Sequence, residues 1–309
     1  MPDIRPAQLD TIDQLLNWAY QQFAASDLYY GHGTDNAWDE AVQLVLFVME
    51  LPIDSDTSIK NLPTSALQQQ RVQSIVEQRI KSRKPLAYLI KQCWFMGLPF
   101  YIDERVIVPR SPFAEWIGQQ CRPWVLPDKI HRICDLCTGS ACIAIAAAHV
   151  FEHATVDAID IDSDAIAVAT QNVTNHALSD RINLILSDGF EAVPTRQYDL
   201  ILSNPPYVPD EEMATLPQEY LQEPQVALRA DHDGLAIVIR LLAQASNYLT
   251  PHGILMMEVG NSDEALQNTF PTVDFTWLEQ SQGGHGLFVL SYDQLVQHQS
   301  KFKACIDGW

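Results

Sequence analysis

The stretch His131-Arg132-Ile133-Cys134-Asp135-Leu136-Cys137-Thr138-Gly139-Ser140-Ala141, followed by the apolar run Cys142 to His149, sets the architecture. It reads as strand, tight turn and helix, the unit that lets backbone N–H groups approach a bound cofactor. A strict dinucleotide fingerprint is absent, since Gly139 is the one glycine of that pattern present. The following units strengthen the reading. Thr155 to Ile159 is a second strand ending at Asp160, and Ile182 to Leu186 is a third ending at Ser187-Asp188. Tyr198 to Ser203 is a fourth, delivering Asn204-Pro205-Pro206-Tyr207. Alternation of strand and helix predicts a mostly parallel sheet covered on both faces, with ligands at the carboxyl ends of its strands.

Each of those strand ends carries polar groups. Asp160 is placed to accept hydrogen bonds from ribose hydroxyls, whereas Asp162 or Ser163 suits the cap of the next helix better. The carboxylate of Asp188 could meet an adenine amino group. In the tetrapeptide, proline restricts the residue before it, so Asn204 and Pro205 are both held away from helical backbone. Neither proline has an N–H, which leaves their carbonyls free to face a ligand. The Asn204 side-chain oxygen and a neighbouring carbonyl form a fixed acceptor pair beside an aromatic ring, suited to a planar –NH2 group.

Upstream, Leu9, Ile12, Leu15, Leu16 and Ala19 repeat at helical spacing, as do Ala41 to Val48 and Val72 to Ile80. These predict a small helical domain over residues 1–92. The loop Tyr29 to Glu40 could be a recognition surface or a helix connection capped by Asp35 or Asn36. Residues 93–111 alternate around Trp94 to Phe100 and Val106 to Val108, predicting a linking β-hairpin, and 112–309 form the α/β domain. Arg110 could pair with an anion or a carboxylate, though an exposed solvated arginine is the commoner case. The stretch Val208 to Asp231, with Pro209, Pro217 and Pro224, is a long irregular segment beside the tetrapeptide, of the kind that is usually functional. A helix over 234–249, a strand over 254–257 with Glu258, a helix over 262–270 and a last strand pair around Gly283 to Gly286 complete the sheet.

Length and composition fit a two-domain globular chain of 309 residues. The beginning lacks signal-peptide features and no run reaches the roughly 18 apolar residues of a membrane helix, so a cytoplasmic protein is expected, without membrane partners. Six cysteines without a paired framework suit a reducing compartment. Cys134, Cys137 and Cys142 read as small buried side chains rather than metal ligands, His32 lacks a second ligand at metal spacing, and His285 sits in turn chemistry. The 19 Lys+Arg against 39 Asp+Glu give −20, which disfavours direct nucleic-acid recognition and favours basic partners.

The motifs Asp135 to Ser140, Asp160, Asn204 to Tyr207, Glu223-Pro224 with Ala227-Leu228, and Asp233-Gly234-Leu235 resemble the protein-glutamine methyltransferases. The loop Tyr30 to Asn36 with Trp38 to Ala41, and Val108 to Pro112, are similar to the branch acting on large-subunit ribosomal protein three rather than on peptide-chain release factors. The resemblance implies a class I S-adenosylmethionine-dependent methyltransferase: a Rossmann-like, seven-stranded, mostly parallel sheet behind a helical N-terminal domain. It implies S-adenosyl-L-methionine bound by Asp135, Cys137, Thr138, Gly139, Ser140, Ala141, Asp160, Asp188, Gly189 and Asn204. It further implies a basic ribosomal-protein substrate whose glutamine amide meets Asn204, Pro205, Pro206 and Tyr207. Methylation of release factors, or of adenine or cytosine amino groups, is the alternative; a binding factor without catalysis is a third reading, motivated by Ala141 alone. The family has glycine where this chain has Ala141, a change tolerable at negative φ and unfavourable at positive φ. Gly189 stands where the release-factor branch carries an aromatic, a cover that Phe190 could supply.

Overall fold

The computed structural model describes Leu9–Ser281 and His285–Trp309. The chain divides into two units, one comprising the described residues up to Cys93 together with Pro217–Gln222, the other Trp94–Leu216 with Glu223–Trp309.

The first unit is helical: α1 (Ile12–Ala24), α2 (Ala37–Met49), α3 (Ala66–Ser82) and α4 (Leu86–Ile90). Its helices start where the sequence supplies caps. Thr11 and Ser65 form capping boxes with Gln14 and Gln68, and the Asn36 side chain accepts from the Trp38 and Asp39 amides. Their apolar faces, including Leu15, Phe23, Leu44 and Val72, close one core. The loop ahead of α2 takes the capped-connection form, with Asn36 as the cap.

The second unit begins at a short strand pair, β1 (Cys93–Phe95) and β2 (Leu98–Phe100), whose first residue belongs to the helical unit. The expected strand over Val106 to Val108 does not form. The Val108 amide donates to the Glu223 carboxylate at 2.9 Å, and the Val106 amide closes a turn onto the Asp103 carbonyl at 3.1 Å. After α5 (Phe113–Gly118) the sheet follows: β3 (Arg132–Leu136), α6 (Cys142–Val150), β4 (Thr155–Asp160), α7 (Ser163–Asn175), β5 (Ile182–Leu186) and β6 (Tyr198–Ser203). A four-residue helix, α8 (Asp210–Met213), interrupts the irregular segment; α9 (Ala236–Ala245), β7 (Leu249–Glu258), α10 (Asp263–Thr269), β8 (Thr276–Trp277), β9 (Leu287–Ser291) and α11 (Tyr292–Asp307) complete the unit. The last strands are β8 and β9; Gly283 and Gly284, expected at their turn, lie outside the described residues.

The strand order is β5-β4-β3-β6-β7-β9-β8, with β9 antiparallel to both of its neighbours and the other pairings parallel. The order reverses at β3, which pairs with β4 on one side and β6 on the other. A crevice at the carboxyl ends of β3, β4 and β6 is the consequence. Among the described residues no helix is long and apolar enough to cross a membrane.

Candidate active site

The turn after β3 is held by a buried carboxylate. Asp135 accepts the Thr138 hydroxyl at 2.5 Å and the Ala144 amide at 3.1 Å through one oxygen. Burial pushes its carboxyl up to about 7 against these hydrogen bonds. Cys137, Gly139 and Ala141 all adopt left-handed backbone, so a residue of positive φ recurs at alternate positions through the turn. Ala141, at φ 64° and ψ 23°, is the N-cap of α6, in the conformation where glycine is preferred. The Thr138 amide pins the turn to the Ile159 carbonyl at 2.9 Å.

Asp160, at the end of β4, faces this turn. Its carboxylate accepts the Gly139 amide at 2.8 Å and the Asp162 amide at 3.0 Å. Burial pushes its pKa upward, and the two amides oppose that shift. A cavity opens where these groups meet, lined by Cys137, Gly139, Asp160, Asp188, Gly189, Asn204 and Pro206. Asn204 is half-buried, and Ser203 before it is fixed by a 3.1 Å hydrogen bond to the Leu136 carbonyl. Seven of the residues singled out in the sequence therefore share one space.

The others stand elsewhere. Asp135, Thr138, Ser140 and Ala141 are buried and are not part of the cavity wall, and Pro205 is likewise buried. Asp188 lines the cavity with both oxygens bound by the Arg240 guanidinium, at 2.7 Å for one contact, so it offers a neutralised carboxylate. Phe190 does not cover the cavity: it is in the core, stacked on Tyr248 at 4.2 Å. The space beside Gly189 is taken by Leu241, 3.2 Å from where a Cβ would sit. Tyr207 donates its hydroxyl to Glu258 at 2.9 Å. Arg110 is paired, bidentate, with Glu223 at 2.6 and 2.7 Å. His285 is exposed beside residues outside the description.

Sequence reasoning missed Arg105, the residues Val106 and Ile107 of the expected strand, and also Ile161, Val226 and Arg240, all of which line the cavity. Ile161 and Val226 are more than half exposed, at 56% and 54%, and both line the cavity. Gly139 matters differently: a Cβ there would meet nothing within 4 Å, so bare backbone faces open space.

A parallel sheet reversing at its third strand in this unit, with a glycine turn, an acid after the next strand and an Asn-Pro-Pro-Tyr end at one crevice, defines a class I S-adenosylmethionine-dependent methyltransferase. The Methyltransferase small domain family model matches residues 124–232. Ribosomal protein uL3 glutamine methyltransferase of Francisella tularensis is 43% identical over 296 residues, 96% of this chain and 94% of that protein. The protein of the same name from Neisseria gonorrhoeae is 42% identical over 290 residues, covering 94% and 97%. The chain belongs to the family of ribosomal protein uL3 glutamine methyltransferases. Among solved structures, the hMettl16 catalytic domain in complex with MAT2A 3'UTR hairpin 6 aligns with 75% of this chain and 85% of its own, at 17% identity and a TM-score of 0.49.

The residues present fit the cofactor of this class. Asp160 combines burial with unused acceptor capacity, Ile161 and Val226 offer apolar faces, and Gly139 leaves its backbone open to close approach.

Proposed function

We propose that the protein transfers a methyl group to the side-chain amide nitrogen of a glutamine in ribosomal protein uL3. The observation that carries this reading is Asn204, which lines the same cavity as Asp160 at the end of the adjoining half of the sheet. The family membership supports the choice of substrate.

In this reading Asp160 accepts hydrogen bonds from the ribose hydroxyls, and Ile161 and Val226 flank the adenine. S-adenosylmethionine supplies, when bound, an electrophilic methyl on a sulfonium. A glutamine nitrogen is a weak nucleophile because its lone pair is delocalised into the carbonyl. Asn204 Oδ1 and the Pro205 carbonyl accept the two amide N–H bonds and aim the nitrogen. These acceptors strengthen as the nitrogen gains positive character, so they favour the transition state over the ground state. No general base is needed, because the proton can leave after transfer. Tyr207 borders the amide.

The helical unit serves as the substrate-recognition domain in this scheme; its exposed Tyr20, Tyr29 and Trp38 are contact candidates. The charge of −20 suits a basic protein and not a nucleic acid, and the setting is cytoplasmic. Incubating the enzyme and labelled S-adenosylmethionine with purified uL3 and, separately, with release factors, then mapping labelled peptides, tests the reading. Label on one uL3 glutamine is the expected result. Label on a release-factor glutamine alone overturns it.

A further inference from the structure

We infer that Glu258 and Ser111 are positioning residues for this reaction, holding Tyr207 and, through its backbone, the Asn204-Pro205-Pro206 segment in one conformation. The inference rests on reading Asn204 to Tyr207 as the amide-binding segment.

Tyr207 is fixed at three points by different parts of the chain. Its hydroxyl donates to one Glu258 oxygen at 2.9 Å, while the other oxygen accepts the Ser111 hydroxyl at 2.5 Å. Its ring lies against Gly260, where a Cβ would fall 2.5 Å from the ring edge. Its carbonyl accepts the Ser262 hydroxyl at 2.9 Å, and Gly234 passes so close that a Cβ would sit 2.0 Å from that oxygen. Gly260 is backed in turn by Gly286, whose Cβ would lie 2.1 Å from the Gly260 carbonyl oxygen. All three glycines have positive φ, so both space and conformation exclude side chains there.

The carboxylate at the centre calls for a purpose beyond packing. Glu258 is 6% exposed and Ser111 is 7% exposed. Well-packed apolar residues often replace even a buried ion pair without loss of stability. Burial pushes the Glu258 carboxyl's pKa upward, opposed by the two hydroxyls that it accepts, one of them the last side chain of the amide-binding segment. Ser111 is itself anchored: Arg110 beside it clasps buried Glu223, which also takes the Val108 amide. Two consecutive residues, Arg110 and Ser111, thus each grip a buried carboxylate, and Glu258 passes the second grip to Tyr207.

Rate depends steeply on such placement, since a misplacement of about 1 Å can lower it about 100-fold. The cofactor wall formed by Gly139 and Asp160 belongs to other strands and makes no use of Glu258. Asn204 and Pro206 line the same cavity, so loosening Tyr207 lowers kcat by far more than it weakens cofactor binding.

The test is a double-mutant cycle on Glu258→Gln and Tyr207→Phe, read as single-turnover methylation of uL3, with cofactor Kd measured by calorimetry. Losing a hydrogen bond to a charged group predicts that each single variant lowers the rate about 10- to 100-fold. The double variant should be no worse than the poorer single one, with Kd within about twofold of wild type. Ser111→Ala should show a smaller loss of the same kind. Losses that multiply in the double variant, or an unchanged rate with a lowered cofactor affinity, overturn the inference. A crystal structure of a Glu258→Leu variant, which leaves neither hydroxyl an acceptor, gives a reading independent of substrate: the Tyr207 ring should leave its seat on Gly260, and an unmoved ring overturns the inference. Wild-type enzyme that leaves uL3 unlabelled refutes the substrate reading instead, and the crystallographic arm then decides the positioning.

Discussion

Glu219→Ala is the sharpest test of how the helical unit is held together. Glu219 is fully buried and lies in Pro217–Gln222, the segment that belongs to this unit although its flanks belong to the other. One of its oxygens accepts the Tyr29 amide at 3.0 Å and Arg79 Nη1 at 3.3 Å, with Arg83 Nε at 2.9 Å. The group is balanced, with Arg79 and Arg83 facing Glu40 and Glu219. Removing one partner from a buried pair costs about 3–5 kcal/mol. Two features favour the lower end: Arg79 keeps Glu40 at 2.6 Å, and Arg83, 23% exposed, can turn to water. The stranded Tyr29 amide adds about 1–3 kcal/mol. The expected loss is about 4 kcal/mol. Glu219→Gln, which keeps an acceptor for the amide, should lose about half as much.

Guanidinium denaturation measures the loss. Hydrogen exchange over Tyr29–Asn36 and Pro217–Gln222 shows where it falls, because the His32 and Tyr220 rings lie 4.4 Å apart and should separate together. An alanine variant within about 1 kcal/mol of wild type, with both peptides exchanging as before, refutes the assignment of stability to this cluster.

Asn204→Ala should lower turnover by about 100- to 1,000-fold with a smaller change in cofactor affinity, checked by single-turnover kinetics and calorimetry. Asp160→Ala should instead raise the cofactor Kd, and unchanged binding would remove Asp160 from the ribose. Asp135 gives a pH signature. Its folded pKa of about 7 lies above the ordinary value of 3.8, so the unfolded chain releases this proton first. Its contribution to stability therefore falls as pH rises from about 4 to about 7 and then levels, by about 4 kcal/mol at most. Subtracting the denaturation profile of Asp135→Asn from that of wild type should recover this slope; parallel profiles would contradict it.

The sheet was legible because its strands are short apolar runs bounded by turn residues, and because strand and helix alternate from Arg132 to Leu186. The cavity residues were legible wherever the chemistry sits at a strand end, as for Gly139, Asp160 and Asn204. What stayed hidden depends on distant partners. Glu219 meets residues 140 and 190 positions away, so nothing local marks Pro217–Gln222 as part of the helical unit. Val106 to Val108 alternates like a strand, yet the Val108 amide is taken by a glutamate 115 positions on. Phe190, offered as a cover by its adjacency to Gly189, is instead buried against Tyr248. Glu258 left a trace, a charge ending an apolar strand, and its partners Ser111 and Tyr207 could not be read from sequence.

Ala141 is the position where sequence and backbone disagree most openly, and the energies explain why the disagreement is harmless. An L-residue in left-handed backbone costs about 1–2 kcal/mol. A glycine would relieve that but lose about 0.5–1 kcal/mol to the greater freedom of the unfolded chain. It would also forgo a methyl that is wholly buried here, worth about 0.8 kcal/mol. The terms nearly cancel, so alanine is close to neutral for the fold. The turn keeps its shape in any case, since the Ala141 amide donates to Thr138 and its carbonyl accepts Ile145, both at 2.9 Å. The cavity is walled by Gly139 and not by Ala141. An alanine at this position changes what holds the turn together and leaves untouched the surface that the turn presents, which removes the basis for reading the chain as a binding factor without catalysis.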